Sequence, residues 1–115
     1  MVEHIKIRKA EGTWVVRAGG AVLGESVNAL ELSEGEMSPV IYFPREDIAM
    51  AFLEASDQVS HSPHKGDARF YSIHTKSREL KNAAWSYEAP LDVVQRIKDH
   101  VAFYADGGDV AIERV

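Results

Sequence analysis

Short runs of alternating apolar and polar residues, broken by glycine, proline or charged turns, constrain this chain more than any other feature. A period of two turns one side of each run toward a core and the other toward water, as in half-buried antiparallel strands. His4 to Arg8 carries Ile5 and Ile7 on one side. Thr13-Trp14-Val15-Val16-Arg17 is rich in β-forming residues and stops at Gly19-Gly20, a turn signal. Two shorter runs follow, Ala21 to Gly24 and Ala29 to Leu32. After a loop at Ser33-Glu34-Gly35-Glu36 comes a β-branched and aromatic run, Val40-Ile41-Tyr42-Phe43. The chain up to Phe43 reads as a meander of short antiparallel strands.

At Pro44 the period changes. Ile48, Ala51, Phe52 and Ala55 fall at i, i+3, i+4 and i+7, one apolar helical stripe. Pro44 suits a helix start, Glu46 and Asp47 complement its positive end, and Ser56-Asp57 closes it. Strands resume over Asp67 to Thr75 and Leu80 to Tyr87, joined by a polar hairpin loop at Lys76-Ser77-Arg78-Glu79. Pro90 begins a second predicted helix with Val93, Val94 and Ile97 inward. Val101-Ala102-Phe103-Tyr104 and Val110-Ala111-Ile112 read as a closing hairpin around Asp106-Gly107-Gly108-Asp109. There is no repeat, linker or βαβ alternation. The expected class is α+β, mainly β and antiparallel, with two short helices in a single domain over residues 1–115.

Composition bounds what such a domain can do. At 115 residues, 45% hydrophobic and 27% charged, the chain matches an ordinary soluble globular protein. About two-thirds of its unfolded surface can leave water. The absence of cysteine excludes disulfides and a thiolate zinc site, and favours a reducing compartment. Met1-Val2-Glu3-His4-Ile5-Lys6 lacks the apolar run of a secretory signal, and no stretch approaches the ~18 apolar residues of a membrane span. A cytoplasmic location without membrane contact is expected. A net charge of −5 argues against nucleic-acid binding. Residues 25–57 hold eight acids and one base, whereas residues 64–81 hold five bases and two acids. That asymmetry reads either as solvated faces of opposite sign or as a positive patch for an anionic ligand.

Two proline-centred segments concentrate the chemistry. In Tyr42-Phe43-Pro44-Arg45-Glu46-Asp47, Asp47 reads as a first-turn acid, or the helix N-terminus and Arg45 together hold an anion. Tyr42 and Phe43 alternate, so one faces the core and the other is free to reach a site. In His61-Ser62-Pro63-His64-Lys65-Gly66-Asp67, a turn precedes a strand. His61 and His64 are three apart, a metal spacing only on a helix, which Pro63 opposes, and no third ligand is evident. No metal or cofactor is expected. Lys65-Gly66 suits a tight turn that leaves the ammonium free. Ser62 between two histidines lacks the G-x-S-x-G elbow of a serine hydrolase. Trp85-Ser86-Tyr87 places two aromatics on one side of a strand, as core or as the wall of a ligand pocket.

These blocks together resemble the small bacterial family known as domain-of-unknown-function family 427. The likeness runs from Trp14 to about Tyr104. It rests on Tyr42 to Asp47, on Pro63 and Lys65-Gly66-Asp67-Ala68, on Trp85-Ser86-Tyr87 with Pro90, and on Val101-Ala102-Phe103-Tyr104. The resemblance implies a β-tent-like fold, two bent antiparallel sheets, and maps family tyrosine, aspartate, lysine and tryptophan positions onto Tyr42, Asp47, Lys65 and Trp85. Members often carry cysteine before the second proline, where this chain has Ser62. The family has also borne a nucleotidyltransferase label, although this chain has no glycine-serine motif followed by paired metal-binding aspartates.

The leading functional expectation is a groove for a small anionic or planar ligand. Lys65 and Arg45 would supply charge, His61 and Asp47 hydrogen bonds, and Trp85 and Tyr42 a stacking wall, with His64 a further ligand-binding candidate. An enzyme using Asp47, His61 and Lys65 for acid–base chemistry is the first alternative. A protein-interaction module built on Trp85, Tyr87 and nearby strand edges is the second. In a third, both proline segments are purely structural.

Overall fold

The alternating runs become strands in the computed structural model, which describes residues 4–105 and 107–115. In chain order they are β1 (Ile5–Lys9), β2 (Trp14–Ala18), β3 (Ala21–Ser26), β4 (Leu30–Glu34), β5 (Val40–Pro44), β6 (Leu53–Ser62), β7 (Gly66–His74), β8 (Glu79–Ser86), β9 (His100–Phe103) and β10 (Val110–Arg114). They form a seven-stranded sheet, ordered β1-β4-β5-β9-β8-β7-β6, and a three-stranded sheet, ordered β10-β2-β3. Every pairing is antiparallel.

The three-stranded sheet covers one face of the larger one. Val16, Ala18, Leu23 and Val110 from the small sheet pack with Ile41, Phe43, Ile73, Ala84, Val101 and Phe103 of the large sheet. The opposite face of the large sheet also carries apolar residues: Leu30, Leu32, Tyr42, Phe70 and Ala102. Val94 and Ile97 cover part of it. Central strands covered on both faces read as continuous apolar runs, which is why Ile41, Tyr42 and Phe43 are all buried.

Neither predicted helix forms as an α-helix. Residues 45–47 and 50–52 make two separate 3₁₀ turns, with extended backbone at Ile48 (φ −109°, ψ 138°) between them and at Leu53 (φ −112°, ψ 134°) after them. Of the stripe, Ile48 is buried, while Phe52 is 44% exposed. Two alanines and one exposed phenylalanine bury too little area to hold a short helix. Pairing of Leu53 with Ile73 and Ala55 with Tyr71 draws the chain into β6 instead, so Ser56 and Asp57 lie within a strand. Over Asp92–Ile97 the backbone is also 3₁₀, with a break at Val94. Val94 and Ile97 are fully buried and Val93 is 61% exposed. A separation of three residues suits 3.0 residues per turn, which superposes the two inward side chains.

The closing hairpin is likewise replaced. β9 inserts between β5 and β8, whereas β10 crosses to the other sheet and pairs with β2. Asp106, within the expected turn, lies outside the described residues.

Gly24 shows how tightly β3 meets the segment after β5. It bridges Ile48, and a Cβ there would lie 2.5 Å from Ile48 Cδ1 and 2.6 Å from the Asp47 carbonyl oxygen. Gly24→Ala is expected to cost about 1–3 kcal/mol by overpacking, measured by urea denaturation.

Candidate functional site

The β6–β7 hairpin turn brings Lys65 to the large sheet's aromatic face. Ser62 Oγ accepts from the backbone N–H groups of His64 and Lys65, and Lys65 C=O accepts from Leu91 N–H at 2.9 Å. Gly66 follows at φ +110°, a left-handed conformation that side chains disfavour. The turn is thus pinned on both sides, and Lys65 Nζ reaches Glu34 Oε1 at the end of β4. Their side chains are only 15% and 17% exposed. The ring of Tyr87 lies 5.9 Å from the ammonium.

Register supplies the aromatic wall. Trp85 on β8 stands opposite Phe70 on β7 and Ala102 on β9. Its ring centroid lies 4.6 Å from that of Tyr104, 6.4 Å from Phe70 and 6.4 Å from Tyr42, the last at a right angle. Trp85 Nε1–H donates to the Tyr42 hydroxyl at 3.2 Å, fixing the indole. Phe70 and Tyr104 are nearly parallel at 6.3 Å. These aromatics, with Tyr87, Lys65 and Glu34, line a cavity of about 790 Å³ that extends to Trp14 and Ile112 of the small sheet. Burial raises the Tyr42 hydroxyl well above its ordinary pKa. Burial, then the nearby Glu34 and Tyr104, pushes Tyr87 up to about 12. Both phenols therefore remain neutral at physiological pH.

Tyr42, Lys65 and Trp85 share this cavity; Arg45, Asp47, His61 and His64 are not in its lining. Asp47 accepts from Ser26 Oγ at 2.7 Å, and Ser26 Oγ in turn accepts from Asn28 N–H, so this acid anchors the β3–β4 connection. His61 Nδ1 meets Asp67 at 2.7 Å on the exposed hairpin. His64 packs edge-on against His4, whose Nε2 is 3.8 Å from Glu34. Among the described residues, the two segments meet only in part, through Tyr42 and Lys65.

Arg45 belongs to a different cluster. Its Nη2 donates to the Tyr71 hydroxyl at 3.0 Å and to Glu88 Oε2 at 2.9 Å, and the Tyr71 hydroxyl also donates to Glu88. Tyr71 foremost, and then Arg45, hold the Glu88 carboxyl below the usual carboxylate range against the opposing effect of burial. The depressed value means this contribution is complete above about pH 4.3 and is lost as pH falls through the folded-state pKa. Glu88→Gln is expected to flatten the acid limb of a Tm-against-pH curve relative to wild type. Equal slopes would refute the linkage. Elsewhere, His74 Nε2 lies 2.9 Å from Glu54 and 3.6 Å from Glu79, an exposed three-residue polar cluster.

Glu34, Phe70 and Tyr104 escaped sequence reasoning as site residues. Alternation in β7 puts Phe70 on the side of Ala68, a usable signal. No local pattern links Glu34 to Lys65, 31 residues later.

Fold and site together define an antiparallel β domain with an aromatic-walled cavity and a shielded lysine–glutamate pair. The chain belongs to the family described as domain of unknown function DUF427, whose sequence pattern matches residues 6–114. No curated protein matches it. Among the described residues, no helix is long and apolar enough to cross a membrane.

Proposed function

We propose that this domain binds a small planar ligand, stacked on Trp85 and Tyr104 within the cavity. The carrying observation is the convergence of Tyr42, Phe70, Trp85, Tyr87 and Tyr104 on one space of about 790 Å³, within the usual range for small-molecule sites. The fixed indole offers a preorganised face, and Tyr104, 51% exposed, borders it. Lys65 and Glu34 stand beside the aromatic wall, and Glu31, Ser38, Ser60 and Ser62 complete the polar part of the lining. Asp47, His61 and Lys65 each engage a different partner, which favours binding over acid–base chemistry by the three acting together.

Titration of the ¹⁵N-labelled protein with indole tests this reading. The Trp85 Nε1–H signal is expected to shift saturably, along with amides of Phe70 and Tyr104. Trp85→Leu keeps apolar bulk but loses most stacking area, and is expected to weaken binding about 5- to 100-fold, from ~1–3 kcal/mol per stacked ring. Saturable shifts confined to another surface, or no saturable shifts, would refute the assignment.

A further inference from the structure

Charge pairing in the cavity specifies the ligand more narrowly than its shape does. Three charged side chains line it: Glu31, Glu34 and Lys65. Lys65 is bound to Glu34, and both are largely shielded from solvent. Glu31 is paired with Arg8 at 2.6 Å, but Arg8 is outside the cavity lining and 77% exposed. The lining alone therefore has two carboxylates against one ammonium, and that ammonium is already engaged.

We propose that the cavity selects planar rings carrying a positive charge, of the arylalkylammonium kind, and disfavours their anionic counterparts. This rests on the planar-ligand reading above. An anion seeking Lys65 must compete with Glu34, and success would leave a shielded carboxylate without its cation, a costly state. A cation meets the reverse situation. Glu34 keeps Lys65 on Oε1 while its second oxygen lies 3.8 Å from His4 Nε2. Glu31 alternates onto the other face of β4, opposite Ile41, and adds negative potential from the far side of the cavity, while the aromatic faces attract a cation through their quadrupoles. The acidic balance of residues 25–57, which supply both glutamates, has the same sign. The positive balance of residues 64–81 does not offset it at the cavity, because Lys65 is the only base from that stretch in the lining.

Three probes sharing one ring separate charge from shape: indole, tryptamine and indole-3-acetate. With wild-type protein, the expected order at neutral pH and low salt is tryptamine, then indole, then indole-3-acetate. Tryptamine is expected to bind about fivefold or more tighter than indole, within the cation–π and ion-pair range. That advantage should shrink as salt is raised. In Glu34→Gln the tryptamine advantage should fall at least threefold, and indole-3-acetate should gain, because Lys65 is released. Glu31→Gln provides a second, more exposed charge change, expected to reduce the tryptamine advantage less. Indole-3-acetate binding as tightly as indole, or tryptamine showing no advantage, overturns the charge assignment while leaving the planar-ligand reading intact. Failure of indole and tryptamine alike to perturb Trp85 Nε1–H overturns both.

Discussion

Phe43→Ala is expected to lower unfolding free energy by about 3–5 kcal/mol, the largest single effect among the substitutions considered. Phe43 is fully buried in β5, and its ring meets that of Phe103 edge-on at 6.0 Å. It lies where the two halves of the large sheet join, paired with Val101 on β9. Two register pairs make this seam, Phe43 with Val101 and Pro44 with His100. Few backbone pairs hold it, so side-chain packing across the seam carries much of the union. Truncation leaves a cavity that fixed backbones on both sides cannot close. Urea denaturation checks the magnitude. A loss below ~1.5 kcal/mol would mean that the seam collapses around the smaller residue.

Lys65→Met is expected to cost about 2–3 kcal/mol, and adding Glu34→Gln to restore most of that loss. Breaking a buried pair from one side leaves an uncompensated charge, typically worth 3–5 kcal/mol, and residual solvent access to both side chains reduces it here. Replacing both charges removes the penalty as well as the attraction. A double-mutant cycle by urea denaturation gives the coupling directly. Full additivity would show that the two groups act independently and would weaken the case for Lys65 being engaged by Glu34. The doubly substituted protein is also informative for binding: if it folds as wild type yet has lost its preference for cationic rings, stability and selectivity are separable roles of the same two residues.

The correspondence between sequence and structure follows the range over which each signal acts. Alternation in Ile5–Lys9, Trp14–Ala18 and Val40–Phe43 marks strands because side-chain direction depends only on neighbouring residues. The apolar stripe from Ile48 to Ala55 was equally local but misleading. Pairing of Leu53 and Ala55 with β7 outweighs what one short helix could bury. The same limit explains β10, whose apolar residues match a hairpin partner in pattern but find β2 in space. At the site, Trp85 and Lys65 stand out by type and setting, and Tyr42 by its alternation with Phe43. Arg45, Asp47 and His61 stand out equally, yet their partners are Glu88, Ser26 and Asp67, away from the cavity.

The sequence by itself determines that this is a mainly β domain without disulfides, and it marks Tyr42, Lys65 and Trp85 as residues with chemistry to offer. Only the tertiary structure decides that these three share a cavity, that Glu34 engages Lys65, and that Phe70 and Tyr104 complete the aromatic wall. The physical reason is distance along the chain. Alternation and turn chemistry are encoded within a few residues, whereas strand order, register and an ion pair spanning 31 positions arise when separate strands bury their apolar faces together.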